Sequence, residues 1–128
     1  MIKKRVLNPR RIRRIDGGFS FIPHRFLTDG FLSALDSDQL LLYFFLVLAG
    51  DRNGLSFYSY DSICNFLQFS LEQYLRARDA LIEKDLIDFD GTIFQVLDLP
   101  AAIPAPKQKA RSADLDRLIK KIVKEVPA

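Results

Sequence analysis

The segment that most restricts the fold is LLLYFFLVLA, a run of ten apolar residues at positions 40–49. A membrane-spanning helix needs about 20 apolar residues, so this run is too short to cross a bilayer. Asp36 and Gln39 precede it with the spacing of a capping box, and Gly50 follows it as expected for a left-handed residue just past a helix end. We therefore predict a helix over 37–49 that is apolar nearly all round and lies in the middle of the core.

The chain has 128 residues, which suits one domain with short appendages. Apolar residues make up 48% of it, and 11 phenylalanines supply most of the bulk for a core. Cys64 is the only cysteine, which excludes an internal disulfide and a cysteine-based zinc cluster. The basic N-terminus lacks the apolar stretch of a targeting signal, so we expect a cytoplasmic protein of bacterial type.

The net charge of +3 conceals an uneven distribution. Residues 1–18 carry seven basic residues and one acidic residue, for a net +6. Residues 19–100 carry five basic and twelve acidic residues, for a net −7, and residues 101–128 return to +4. An acidic body between two basic extensions suggests an N-terminal arm that contacts phosphate, although a solvated tail that only keeps the protein soluble has the same composition.

The segments on either side of the apolar helix have weaker signals. Pro23 and Gly30 interrupt the sequence FSFIPHRFLTDGFLSAL, for which we expect an extended piece followed by a helix near 26–35. After an Asn53-Gly54 turn, LSFYS at 55–59 predicts a short strand.

Two further helices and a hairpin are predicted next. Ser59 caps a helix that carries Ile63, Phe66 and Leu67 on one face. Ser70 and Gln73 have the spacing of a second capping box, and the helix that follows has inward positions at Tyr74, Ala77 and Leu81. Asp90-Gly91 then lies between two β-rich runs, LIDF and TIFQVLDL. Asp-Gly in this position is the strongest local signal for a hairpin.

This order of elements resembles the winged helix-turn-helix family of bacterial DNA-binding domains, of the transcription-regulator and replication-initiator type. The resemblance covers roughly residues 36–99 and is densest over YDSICNFLQFSLEQYLRARDALIEKDLIDF. Each position of the family's pattern has a counterpart in this sequence. Ser70 is the helix cap, Ala77 the small residue at the helix contact and Leu81 the leucine that follows. Asp85 is the turn residue, and Leu86-Ile87 is the entry to the strand. Asp85 stands where a glycine is usual, and aspartate tolerates left-handed backbone better than most residues.

We therefore expect a mainly α protein with a small β-hairpin, arranged as a winged helix-turn-helix. Its predicted parts are a flexible basic arm over 1–18, the winged domain over 19–99, a proline-bearing linker over 100–113 and an amphipathic tail helix over 114–126.

The resemblance implies that the first turns of the helix that follows Ser70 face the DNA major groove. The residues implied to contact bases are Leu71, Glu72, Gln73 and Arg76. Gln73 suits adenine and Arg76 suits guanine, while Glu72 suits either a cytosine amino group or an ion pair with Arg76. An ordinary amphipathic helix of balanced charge remains the alternative for this segment.

Phosphate contacts are expected mainly from the arm, because phosphate neutralisation supplies most of the affinity for DNA. Charges over 71–84 cancel, and the hairpin sequence DFDGT contains two acids and no base. The expected phosphate-contacting residues are Ser70 and Arg78 together with seven arm cations: Lys3, Lys4, Arg5, Arg10, Arg11, Arg13 and Arg14.

The predicted tail helix has its apolar residues on one stripe and basic residues opposite. The stripe consists of Leu115, Leu118, Ile119, Ile122, Val123 and Val126. It suits pairing with a second copy, docking on another protein, folding back on the same domain, or contact with an anionic membrane. Prolines in the linker favour an outside partner or a homodimer, and we expect no membrane association.

Few residues suggest chemistry. His24 is the only histidine, and neither it nor Cys64 has a partner group nearby in the sequence. We expect no metal, no cofactor and no enzymatic activity. The predicted function is sequence-specific binding of double-stranded DNA, as a transcriptional regulator or an accessory factor of a mobile element or replicon. A bacterial protein with this function is expected to be nucleoid-associated. The alternative is a protein-interaction adaptor, which differs in requiring an acidic or apolar surface over 71–79 where DNA binding requires one positive face shared with the arm.

Overall fold

The computed structural model describes residues 2–104; the predicted tail helix and most of the linker lie outside them. The helices are α1 (Arg25–Thr28), α2 (Ser37–Ala49), α3 (Tyr60–Leu67) and α4 (Leu71–Glu83), with single 3₁₀ turns at Pro9–Arg11 and Leu32–Ala34. The strands are β1 (Leu55–Ser56), β2 (Ile87–Phe89) and β3 (Phe94–Val96). They form an antiparallel sheet of order β1-β3-β2, so the protein is mainly α with a small sheet that includes the predicted hairpin.

α2 begins and ends where the sequence predicts. Asp36 accepts a hydrogen bond from the Gln39 backbone N–H at 2.8 Å, and the Gln39 side chain accepts one from the Asp36 N–H at 3.3 Å. These reciprocal bonds satisfy two of the donors that a helix N-terminus leaves without a partner. Within residues 2–104, no helix has the length and apolar character required to cross a membrane.

The prediction of a left-handed Gly50 is wrong, because its backbone is extended with φ −75° and ψ 147°. Glycine is needed there for a different reason. A Cβ atom at Gly50 would lie 3.2 Å from the Leu46 carbonyl oxygen and 3.3 Å from the Gly54 backbone. Close approach of two backbone segments, and not a positive φ, therefore explains this glycine.

The core forms where α2 packs against α4 and the sheet. It contains Leu42, Tyr43, Leu46 and Val47 from α2 and the three predicted inward residues of α4, Tyr74, Ala77 and Leu81. The expectation that α2 is buried all round is only partly correct, since Leu41, Phe44 and Leu48 on its outer side are exposed.

The predicted helix near 26–35 is divided into two short pieces. α1 ends at Thr28, and a 3₁₀ turn over Leu32–Ala34 follows. Gly30, with φ +85°, lies between them and breaks the helix, because only glycine adopts this conformation without strain. Arg25 in α1 donates hydrogen bonds to the carbonyl groups of Leu99, Pro100 and Ala101, which holds the end of the domain against α1.

α3 has the predicted cap, with the Ser59 hydroxyl accepting from the Ser62 N–H at 3.2 Å. Ile63 is buried and Leu67 half-buried, whereas Phe66 on the same face of the helix is exposed. Gln68 ends the helix in the left-handed conformation, and three residues, Gln68 to Ser70, connect α3 to α4.

The hairpin between β2 and β3 confirms the Asp90-Gly91 signal. The Asp90 carboxylate accepts hydrogen bonds from the N–H groups of Thr92 and Ile93 at 2.8 and 2.7 Å, and Gly91 has φ +100°. The bonds from Ile93 and Thr92 lower the pKa of Asp90, which stabilises its charged form. Asp85 adopts the expected left-handed conformation, with φ +64°.

β1 is shorter than the LSFYS pattern predicts. Ser56 pairs with Phe94, which is the first residue of β3, so residues 57–59 extend beyond their partner strand. Gly54, at the other end of β1, has φ +81° and approaches Val96 so closely that a Cβ atom would lie 2.5 Å from the Val96 carbonyl oxygen.

Replacement of Gly54 by alanine is expected to destabilise the domain more than the same replacement at Gly91. Both glycines have positive φ, which costs alanine about 1–2 kcal/mol. Gly91 has open space around its Cβ position, whereas Gly54→Ala adds a backbone clash that contributes roughly a further 1–3 kcal/mol. Urea denaturation of the two variants measures the difference, and equal losses of unfolding free energy would contradict the close approach of Gly54 to Val96.

Candidate nucleic-acid interface

The N-terminus of α4 contains the second predicted capping box. The Ser70 hydroxyl accepts from the Gln73 N–H at 3.1 Å, and the Gln73 side-chain oxygen accepts from the Ser70 N–H at 2.8 Å. The Gln73 amide nitrogen also donates to the Asp38 carboxylate of α2 at 3.4 Å. Both polar ends of the Gln73 side chain are therefore bonded within the domain, and contact with an adenine would require these bonds to break.

Three of the residues implied to contact bases lie on the outer surface of α4: Leu71, Glu72 and Arg76 are all exposed. Glu72 and Arg76 are four residues apart, but they form no ion pair in the part of the chain that the structure describes. The Arg76 guanidinium is thus free to meet a partner, in contrast to the amide of Gln73.

Arg78 is half-buried and contacts the hairpin. Its guanidinium carbon lies 5.7 Å from the centre of the Tyr74 ring and 5.3 Å from the centre of the Phe89 ring. The same group donates to the Asp79 carboxylate at 2.9 and 3.1 Å. Arg78 therefore connects α4 to β2, and the phosphate contact implied for it would compete with these interactions.

A groove of about 590 Å³ separates α4 from the hairpin and from the segment before α3. Exposed apolar side chains surround it, namely Phe57 and Tyr60 before and at the start of α3 and Leu71 at the start of α4. The sequence pattern does not predict this surface, because LSFYS has the composition of a strand. The cluster of aromatic residues immediately before the Ser59 cap is the only signal for it.

The segment that contains this groove has an acidic composition. Residues 57–93 contain seven acidic and three basic residues, for a net −4. Among the basic residues, Arg78 binds Asp79, and the Lys84 ammonium donates to the Ala34 carbonyl group and the Gln39 side chain at 2.9 and 2.8 Å. The groove is therefore lined mainly by apolar and aromatic side chains within a segment of acidic composition, and Arg76 is the exposed cation of α4.

The N-terminal arm is positive and entirely exposed. All seven arm cations are exposed, and none of them forms an ion pair with another residue in the range 2–104. Asn8 organises the middle of the arm: its side chain accepts from the Arg10 N–H at 3.1 Å and its carbonyl group accepts from the Arg11 N–H at 3.1 Å. The resulting 3₁₀ turn over Pro9–Arg11 contains two arginines, Arg10 and Arg11.

The arm joins the body at the end of the sheet away from the hairpin turn. Residues 17–21 line a groove of about 640 Å³ together with residues 51–54 and 95–99. β3 runs from the hairpin turn at Phe94 towards Val96, so this groove lies beyond the far end of the strand. Where the arm joins the body, near residues 17–21, it therefore does not form one continuous positive face with the α4 surface.

The described residues offer little for catalysis or metal binding. His24 is exposed before α1, and the Cys64 thiol is 3.9 Å from the Ser70 carbonyl oxygen. Burial raises the pKa of the Cys64 thiol, with a further contribution from Asp61, so the reactive thiolate is disfavoured. No group of three or more metal-ligating side chains comes together within residues 2–104.

Comparison with protein-family models, with curated proteins and with solved structures finds no significant match to this chain. The family resemblance therefore depends on the residues and the order of elements alone.

Replacement of Arg78 by alanine is expected to destabilise the protein by roughly 1–2 kcal/mol, because it removes contacts with two aromatic rings that join α4 to β2. Arg76→Ala is the matched control on the same helix, and a change within about 0.5 kcal/mol is expected for that exposed residue. Chemical denaturation followed by circular dichroism measures both. Equal stability of the two variants would show that the contacts of Arg78 with the two rings do not stabilise the protein.

Proposed function

We propose that the protein is a non-enzymatic winged helix-turn-helix protein that binds double-stranded DNA, with the N-terminal arm supplying most of the affinity. The observation that carries this proposal is the full exposure of seven arm cations that have no ion-pair partner among residues 2–104. Seven positive charges without an internal partner suit a polyanion, and release of counterions from phosphate is the main source of free energy in such binding.

The arrangement of the body supports the winged-helix assignment. The family is expected to have three features that this chain has. They are the order α2-β1-α3-α4-β2-β3, the central position of β3 in the sheet and the three-residue turn between α3 and α4. In such a domain α4 occupies the position of the recognition helix and the β2–β3 hairpin that of the wing. Arg76 is then the exposed residue best suited to contact a base, by a bidentate interaction with guanine.

The arm is long enough to act together with α4 although it begins elsewhere. Sixteen extended residues span up to about 50 Å, whereas a body of about 100 residues has a radius of gyration near 13 Å. The arm therefore reaches around the body and along the DNA backbone or into a minor groove. Residues on α4 select the sequence, and the arm holds the duplex. A transcriptional regulator or an accessory factor of a mobile element or replicon requires this combination.

Titration of the full-length protein with fluorescent duplex DNA across a salt series tests the proposal. If about five arm cations contact phosphate, the logarithm of the association constant is expected to fall with the logarithm of salt concentration with a slope of about −4 to −5. A variant with Arg10, Arg11, Arg13 and Arg14 replaced by glutamine is expected to reduce the steepness of this slope by about 2–4.

The matched control removes the same number of charges from the other basic extension, by replacing Arg117, Lys120, Lys121 and Lys124 with glutamine. The slope of this variant is expected to stay close to that of the unchanged protein. Equal loss in both variants would show an effect of net charge alone, and no affinity for DNA at low salt would exclude the proposed function.

The apolar groove beside α4 and the hairpin, within a segment of acidic composition, favours a second candidate, the protein-interaction adaptor. Exposed Phe57, Tyr60 and Leu71 beside a groove, in a segment of net charge −4, suit a basic and apolar partner better than phosphate. On this proposal the winged-helix body binds one protein, and the predicted tail helix recruits another.

Nuclear magnetic resonance titration of the full-length protein with a duplex distinguishes the two candidates. A DNA-reading α4 is expected to shift the amide signals of Leu71, Glu72 and Arg76 together with those of the arm. Shifts confined to the arm would assign the α4 surface to a protein partner, as the adaptor proposal requires.

A further inference from the structure

The N-terminal arm contains a tight turn that is held by its own residues. Asn8 accepts hydrogen bonds at both of its oxygens: the side-chain oxygen from the Arg10 N–H and the carbonyl oxygen from the Arg11 N–H, each at 3.1 Å. Pro9, with its restricted φ, occupies the first position of the turn. Every residue from 2 to 19 is exposed, so burial in the core does not hold this conformation. The turn is a local element that presents two arginines to solvent.

Apolar side chains accompany the cations on both sides of the turn. Val6 and Leu7 precede it, and Ile12 and Ile15 follow it within the repeated sequence RRIRRI; these four side chains are 58–85% exposed. Contact with phosphate requires only the cations. Exposed apolar side chains within an arm that binds a polyanion therefore indicate that the surface it meets is partly apolar.

The backbone after the turn separates the two kinds of side chain. Ile12 leaves the turn with φ −66° and ψ 128°, which is close to the polyproline II conformation. That conformation has three residues per turn, so residues three apart lie on the same side of the chain. A segment that continues in this way has Ile12 and Ile15 on one side and the arginines of the repeat on the other two.

The two grooves of duplex DNA differ in what they offer such a segment. The major groove, about 12 Å wide, admits a helix, whereas the minor groove, about 6 Å wide, suits a narrow irregular chain. Proteins that bind the minor groove combine cations with apolar side chains, including leucine and isoleucine, that insert at base steps. The arm has both kinds of residue on a narrow, non-helical backbone, and it therefore fits the minor groove better than the major groove.

The type of cation indicates which base pairs this groove contains. A·T tracts have a narrow minor groove with an enhanced negative potential, which attracts inserted arginine. Both cations of the turn and both that follow it in the repeat are arginines, while the two lysines of the arm lie further away, at positions 3 and 4. The guanidinium group is more weakly hydrated than an ammonium group, so arginine loses less hydration when it enters a confined groove.

We propose that the Asn8–Arg11 turn inserts its two arginines into the minor groove of an A·T-rich segment of DNA. Ile12 and Ile15 lie against the walls of the groove, and the remaining arm cations contact phosphates on either side. This inference rests on the proposed binding of double-stranded DNA and gives the arm a part in selecting the sequence as well as in supplying affinity.

Comparison of a G·C duplex with an inosine·cytosine duplex of equal length tests which groove the arm reads. Inosine lacks the 2-amino group of guanine, so the two duplexes present the same major groove but the second has the minor-groove pattern of A·T pairs. Residues of α4 in the major groove cannot distinguish them. The full-length protein is expected to bind the inosine duplex roughly tenfold more tightly than the G·C duplex, and an A·T duplex also more tightly than the G·C duplex.

Variants that keep the charge of the arm assign the preference to the turn. Arg10→Lys/Arg11→Lys is expected to reduce the preference for the inosine duplex to within about twofold while the salt dependence of binding stays unchanged. The same replacement at Arg13 and Arg14 is the matched control and is expected to keep the preference. Asn8→Ala removes the side-chain acceptor of the turn without any change of charge, and it is expected to weaken the preference at an unchanged salt dependence.

The substituted residues are all exposed, and circular dichroism melting is expected to show folded proteins of equal stability. Salt-dependent binding with equal affinity for the inosine and G·C duplexes would overturn this inference and leave the proposed function intact. Absence of binding to every duplex at low salt would exclude both. A preference that survives both Arg10→Lys/Arg11→Lys and Asn8→Ala would also overturn the inference, because the turn would then not be the element that reads the groove.

Discussion

The packing of α2 against α4 determines the positions of most other elements. Ala77 is buried on the inward side of α4, in the same core as fully buried Leu42, Leu46 and Leu81, and a small residue there allows a neighbouring element to approach closely. Reciprocal caps at both N-termini fix where the helices begin, and the bond from Gln73 to Asp38 joins one cap region to the other helix. A larger side chain at Ala77 would separate the helices and displace the whole surface that α4 presents.

Much of the local structure follows from short-range chemistry and could be predicted from the sequence. The capping pairs Asp36/Gln39 and Ser70/Gln73 and the Asp90-Gly91 turn each act over three or four residues. Gly50 and Phe66 differ because their surroundings are set by distant segments. Gly50 is required by the approach of Leu46 and Gly54, and apolar periodicity in α3 cannot distinguish a core position from an exposed one such as Phe66.

The candidate interface shows the same division. The sequence places Glu72 and Arg76 on the outer surface of α4, because helical periodicity alone decides this. It does not indicate that Gln73 binds Asp38 or that Arg78 stacks on Phe89, since these partners lie 35 and 11 positions away. The charge contrast between arm and body is visible in the composition, whereas the attachment of the arm beyond the far end of β3 depends on the strand order.

The position of Arg78 between Tyr74 and Phe89 has a consequence for how a partner is recognised. One cation in contact with a ring of α4 and a ring of β2 restricts the movement of the hairpin relative to the helix. A partner that contacts both elements then meets a preorganised shape and loses little conformational entropy in ordering it. Under either proposed function, the contacts of Arg78 favour a partner whose shape fits the arrangement of α4 and the hairpin that these contacts hold.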